Sequence, residues 1–259
     1  MELREWAERI LSADTLEEKL LCPEKLTDYT PGEPLIFDEP VRPLGMGFHK
    51  KTKEQKLPAF QFHHTEDNRA VCLHRFAGHE LLAVEIMAHA LTAFPYAPKA
   101  FRKGVAHTLK EEQEHVRIYM KRMSEMGITF GDLPLYKHFW THVPHLTTPV
   151  RYVSVMSLTF EMANLDFAPL YGQSFARFGD TKSAALMEQI VKDEINHVSF
   201  GFSWLKKLQR DGNPWDNWMS SLSPKISPRR ARGFVYSEDN RRKAGIPEDW
   251  ITQLKYSKY

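Results

Sequence analysis

Four long stretches of helical periodicity dominate the chain, at roughly 72–95, 98–127, 149–178 and 181–210. In each, apolar residues recur at the i, i+3, i+4, i+7 spacing that buries one face of a helix. Pro95 and Pro98 separate the first two, and Gly179 and Asp180 separate the last two. Breaks that short join neighbours as antiparallel hairpins. The link between the pairs, 128–148, is longer and holds Gly131, Pro134 and Pro144. Two hairpins joined by a long crossover form one route to a four-helix bundle. No run alternates as a strand would, so the expected fold class is all-α.

The flanks differ in texture. In residues 1–22, Leu3, Trp6, Ala7 and Ile10 make one short apolar stripe. Asp14 and Thr15 then offer N-caps, with Glu17 and Glu18 in the following turn. Residues 23–60 carry Pro23, Pro31, Pro34, Pro40, Pro43 and Pro58, which predicts an extended lead wrapping a surface. Residues 211–259 read as loop-like. The predicted organisation is therefore 1–71 as N-terminal helices and wrapping segment, 72–210 as bundle, and 211–259 as a basic extension packed on it.

Hydrophobic residues make up 42% of the 259, enough for a sizeable core and too many for wholesale disorder. The formal net charge of +2 does not mark the whole chain as a nucleic-acid or membrane-surface binder. From Leu205 onward, however, 12 Lys and Arg face 6 Asp and Glu, and RNA phosphates could bind there; a solvated surface is the favoured reading. Cys22 and Cys72 are the only cysteines, which excludes a disulfide scaffold and points to a reducing compartment. There is no membrane-length apolar run, and the start MELREWAERI has no secretory h-region. The expected location is the cytoplasm.

Two Glu-x-x-His motifs occur, Glu112–His115 and Glu194–His197. Glu and His three apart share a helical face and can reach one metal ion. With 21 Glu and 12 His, chance supplies about one such pair, so the context decides. Both motifs lie in apolar stripes: Val105, Leu109, Val116 and Tyr119 around the first, Met187, Ile190, Val191 and Val198 around the second. Burying an unpaired carboxylate costs several kcal/mol, so surface glutamates are not placed there.

Each motif also has a glutamate one helix upstream. Reflection about residue 96 sets Glu80, 16 residues before, level with Glu112, 16 after. Reflection about 179 sets Glu161, 18 before, within a turn of Glu194, 15 after. Glu85 competes with Glu80 and Asp166 with Glu161, each rotated by about 140° round its helix. Pro169, eight residues after Glu161, predicts a kink or π-bulge in the third helix. Four carboxylates balance two divalent cations, and the oxygen-rich, imidazole-containing set suits iron or manganese better than structural zinc. Tyr119, one turn beyond His115, is either a redox-active or hydrogen-bonding phenol or a core tyrosine. His138, His142 and His145 in the crossover could bind a metal, but a partly exposed, hydrogen-bonded loop is the favoured reading. His63 and His64 read as loop residues. His79 could be an outer partner of a ligand, with a plain structural role favoured.

One Glu from each of two helices plus Glu-x-x-His from each of the other two is the ligand pattern of ferritin-like di-iron and di-manganese carboxylate proteins. The segments GHELLAVEIMAHALTAFP, EEQEHVRIYMKRM, FEMANLDFAP and KDEINHVSFG, and the tail SPRRARGFVYSEDNRRKAGI, resemble an uncharacterised bacterial ferritin-like family distantly related to the di-iron tRNA hydroxylases. The resemblance implies a ferritin-like four-helix bundle holding two metal ions, Fe/Fe or Mn/Fe. It implies Glu80 and His115 as terminal ligands of one ion, Glu161 and His197 of the other, and Glu112 and Glu194 as bridges. The expected activity is oxidation or hydroxylation of an organic substrate with dioxygen. That substrate is a small molecule, or a tRNA as in the related hydroxylases. An electron donor is needed, no membrane is involved, and a homodimer is compatible. The competing expectations are a ferritin-type ferroxidase and a non-catalytic metal-binding bundle.

Overall fold

The computed structural model describes residues 1–50 and 56–257. Among the described residues the regular structure is helical, with two isolated bridges, Glu2 to Thr27 and Phe48 to Leu135, and no strand. The chain forms two compact units, Met1–Pro144 and His145–Tyr259.

The first unit holds α1 (Leu3–Ser12), α2 (Leu16–Lys19), α3 (Glu66–Ala93) and α4 (Lys99–Ser124). The α1 stripe of Leu3, Trp6, Ala7 and Ile10 is buried as the periodicity requires. Thr15 is the cap that forms, accepting the Glu18 amide. The α3 helix begins six residues before the predicted start. Thr65 caps it by accepting the Asn68 amide, and Glu66 and Asp67 favour the positive end of the helix dipole. That first turn is polar, so apolar periodicity could not mark it. From Leu81 to Ala93 every residue of α3 is buried, including Glu85 and His89. A stretch covered all round is mostly hydrophobic on every face, and α4 and α1 pack against α3.

The lead is extended, as its prolines require. Its backbone ties to helix ends: Leu35 N–H donates to Thr92 O at 3.0 Å and Val41 N–H to Leu11 O at 2.8 Å. Residues 51–55 of the predicted lead lie outside the described residues. The first part of the crossover buries Phe130, Leu135, Tyr136, Trp140 and Val143. It is fastened to α3 by His74 Nε2, which accepts the amides of Gly131 (3.0 Å) and Leu133 (3.3 Å).

The second unit holds α5 (Pro149–Val155), a π-helical turn at Met156–Glu161, α6 (Met162–Arg177), α7 (Thr181–Leu208), α8 (Pro214–Ser221), α9 (Glu238–Lys243) and α10 (Glu248–Tyr256). The third predicted helix is thus one rod of three parts, and its π turn ends at Glu161 and is not at Pro169. The Ser154 carbonyl accepts the Thr159 hydroxyl at 2.7 Å and the Trp218 indole N–H at 3.1 Å, bonds that steady the turn from outside the backbone ladder. Pro169 sits within α6 and brings no N–H for the Leu165 carbonyl four residues before it. The Asn240 side-chain amide donates to that carbonyl at 3.0 Å.

The loop-like reading of 211–259 needs correction. Three α-helices and a 3₁₀ turn, Pro228–Ala231, occupy it. Pro214 and Pro228 stand at first-turn positions, where proline starts a helix instead of breaking it. Each helix is also short and carries few apolar residues. Together they bury Trp218, Ala231, Trp250 and Leu254.

Candidate metal centre

In the first unit, α3 supplies Glu80 and α4 supplies Glu112 and His115. One donor atom from each lies within 4.8 Å of the others, and all three side chains are buried. Glu112 Oε2 and His115 Nδ1 are 3.0 Å apart. Two donors each about 2.1 Å from one ion stand about 3.0 Å apart in cis and about 4.2 Å in trans. The Glu112–His115 spacing is therefore that of two cis ligands of one ion. Tyr119 is buried one turn beyond His115, its ring centroid 6.0 Å from that of Phe76.

The second unit holds the other lone Glu and the other Glu-x-x-His. Glu161 closes the π turn, and Glu194 and His197 come from α7. Glu161 and His197 offer donor atoms within 4.8 Å of each other, and His197 Nδ1 is 3.5 Å from Glu194 Oε2. All three are buried. Two further residues shape this set and escaped the sequence reading. Asn164 donates its side-chain amide to Glu194 Oε1 at 2.8 Å. It lies three residues after Glu161, so a Glu-x-x-Asn face was there to be read. Gly201, one turn beyond His197, lets the π turn approach α7: a Cβ there would collide with the Cβ of Ser157.

Glu85 and Asp166, the two alternatives, are engaged elsewhere. Glu85 lies between Arg42 and Lys19, whose Nζ is 2.9 Å away, and all three side chains are buried. Burial pushes the Lys19 pKa down while Glu85 pulls it up. Asp166 receives both forks of Arg241, at 2.7 and 2.9 Å, and the amides of Gly233 (2.8 Å) and Ser237 (2.7 Å). Protein cations thus meet both of these carboxylates.

The histidines outside the motifs divide. His79, next to Glu80, has its ring centroid 4.9 Å from that of His138 and 5.1 Å from that of Phe139, so the crossover reaches the edge of the first set. His63 lies in the turn before α3 and is fully buried, with Nε2 3.2 Å from Pro58 O. His145 bonds the Ser221 carbonyl at 3.3 Å. Burial raises the Cys72 thiol to about 12, so it supplies no thiolate near neutral pH.

A family model described as "Protein of unknown function (DUF455)" matches residues 4–252, a span that takes in both sets. The chain belongs to the DUF455 family. An uncharacterized protein of Haemophilus influenzae is similar to this DUF455 chain, 23% identical over 203 residues that cover 74% of this chain and 70% of the other. No solved structure matches it. No helix among its described residues is long and apolar enough to cross a membrane.

Proposed function

We propose that the protein is a ferritin-like di-metal carboxylate oxidoreductase, which uses dioxygen to hydroxylate or otherwise oxidise an organic substrate. The carrying observation is that each unit buries one lone Glu and one Glu-x-x-His, and all six side chains are at most 5% exposed. The donors are carboxylate oxygen and imidazole nitrogen with no thiolate, a set that suits iron or manganese. Glu80, Glu112 and His115 would hold one ion and Glu161, Glu194 and His197 the other.

When bound, the metals supply the electron-transfer chemistry for activating dioxygen. Hydroxylation consumes R–H, O2, two electrons and two protons and gives R–OH and water, so an external donor supplies the electrons. The chain's own groups do the rest. Asn164 fixes the orientation of Glu194. The Asp166–Arg241 pair anchors α6 one turn beyond Glu161. The Phe76 and Tyr119 rings wall the first set and keep it dry, which strengthens every charge interaction inside it.

The test is metal content and oxygen uptake. Protein purified without added metal should carry two transition-metal ions per chain. Glu112→Ala and Glu194→Ala should each abolish that content, and the reduced, iron-loaded wild type should consume dioxygen. A Glu112→Ala protein that keeps two ions would refute the ligand assignment.

A further inference from the structure

A second feature of the second unit has the form of a ligand site. A groove of about 480 Å³ runs along the α6–α7 hairpin. Its floor is set by small side chains: Ala168, Gly172 and Ala176 from α6, and Ala184 from α7. At Gly172 a Cβ would stand 3.2 Å from the Met187 Cβ, a tight approach that glycine relieves. Met187, Val191 and Ile195 supply the apolar wall. The outer end, at Ala176, is exposed; the inner end, at Ala168, is buried.

Two lysines enter the lining, Lys192 from α7 and Lys243 from α9, against one carboxylate, Glu188. Among the described residues neither lysine has an ion-pair partner. Both belong to the inner half. Lys192 follows Val191, and Lys243 lies one turn beyond Asn240, whose amide is held on Leu165 O. An apolar trench with excess positive charge at its inner end complements a ligand with an apolar body and an anionic head.

Length fixes the size of that body. Eight residues separate Ala176 from Ala168, about 12 Å at 1.5 Å per residue. With C–C bonds of about 1.52 Å at angles near 111°, an extended alkyl chain advances about 1.25 Å per bond, so about 12 Å takes about ten carbons. The volume also falls within the roughly 300–1,000 Å³ of small-molecule pockets.

We propose that this groove binds a medium-chain carboxylate, its chain along Ala168–Ala176 and its carboxylate between Lys192 and Lys243. The inner end is one turn from Asn164 and hence from Glu194, so the bound head lies on the side of the second ligand set. A role as substrate site rests on the di-metal reading; binding itself does not, and the experiment keeps the two apart.

The test is isothermal titration calorimetry with decanoate, hexanoate and decanol on the whole chain after metal chelation. Each added methylene that is buried should tighten binding about two- to fourfold, so decanoate should bind well over tenfold tighter than hexanoate. Decanoate should also bind tighter than decanol. Reversing both charges (Lys192→Glu with Lys243→Glu) should weaken decanoate about tenfold or more and leave decanol unchanged. Ala176→Trp, at the exposed end, should weaken both. These positions lie at the surface, and unchanged circular dichroism and melting would verify that the variants fold. Equal affinity for hexanoate and decanoate, or decanoate binding that survives the charge reversal, would overturn the proposal. Failure of metal binding would leave it standing, because the ligand is measured on metal-free protein.

Discussion

Replacing Arg241 with Ala is the sharpest test of how the second unit is held together. Arg241 and Asp166 have fully buried side chains and meet through two hydrogen bonds. Arg241 also donates to Ala231 O and Ser237 O, both at 2.9 Å. Its removal leaves the Asp166 carboxylate buried without its cation, a loss of about 3–5 kcal/mol. In a chain of this size that lowers the melting temperature by about 6–20 °C. The double variant Asp166→Ala with Arg241→Ala removes the stranded charge. It also orphans the Gly233 and Ser237 amides, at about 1–3 kcal/mol each. The double should therefore be about as unstable as Arg241→Ala, so the coupling should equal the cost of Asp166→Ala alone, about 3 kcal/mol or more. Arg241→Lys keeps the charge but loses the planar fork, and should fall between. Urea unfolding followed by tryptophan fluorescence reads this directly, because Trp204, Trp215, Trp218 and Trp250 all belong to this unit. An Arg241→Ala loss below about 1 kcal/mol, or strict additivity in the double variant, would refute the reasoning.

Three further outcomes are expected. Gly201→Ala should destabilise by about 1–3 kcal/mol through overpacking, and Ser157→Gly should rescue it in chemical denaturation; no rescue would mean that the contact is not the cause. Lys19→Ala should cost about 3 kcal/mol by leaving Glu85 with Arg42 as its one ion-pair partner, near the low end for breaking a buried pair, as read by the urea midpoint. Stability should also fall in acid: burial, then Arg75, push the His74 pKa down to about 4, and burial does the same to His89. Between about 6.5 and 4 the unfolded chain binds protons that the native chain does not, so stability drops as pH falls through that window and is flat above it. Protonated His74 Nε2 also cannot accept the Gly131 and Leu133 amides, and hydrogen-exchange protection at those two positions should fade in the same window.

The hairpins were legible because their apolar spacing and breaks are local. The elements that periodicity missed are those whose cause is local chemistry of another kind, or contact far along the chain. The start of α3 is written in a cap at Thr65, and the C-terminal helices in first-turn prolines. The π turn at Met156–Glu161 leaves no periodic mark; a glycine 40 residues on, Gly201, lets α7 accommodate it. The two Glu-x-x-His motifs were picked from spacing and position within apolar stripes, and Glu80 and Glu161 as the upstream carboxylates near the level of those motifs. That criterion also admitted Glu85 and Asp166, because a buried carboxylate looks the same in sequence whether Lys19, Arg42 or Arg241 meets it. Such partners lie tens of residues away and no spacing rule reports them. Asn164, by contrast, was within reach of the i+3 rule applied to Glu161.

The central claim is that six buried side chains hold two metal ions. Element-resolved anomalous scattering from crystals of protein purified without added metal tests it most directly. The account predicts two peaks, iron with iron or manganese with iron, bound by Glu80, Glu112, His115, Glu161, Glu194 and His197. No transition-metal peak, or one ligated by other residues, would contradict it.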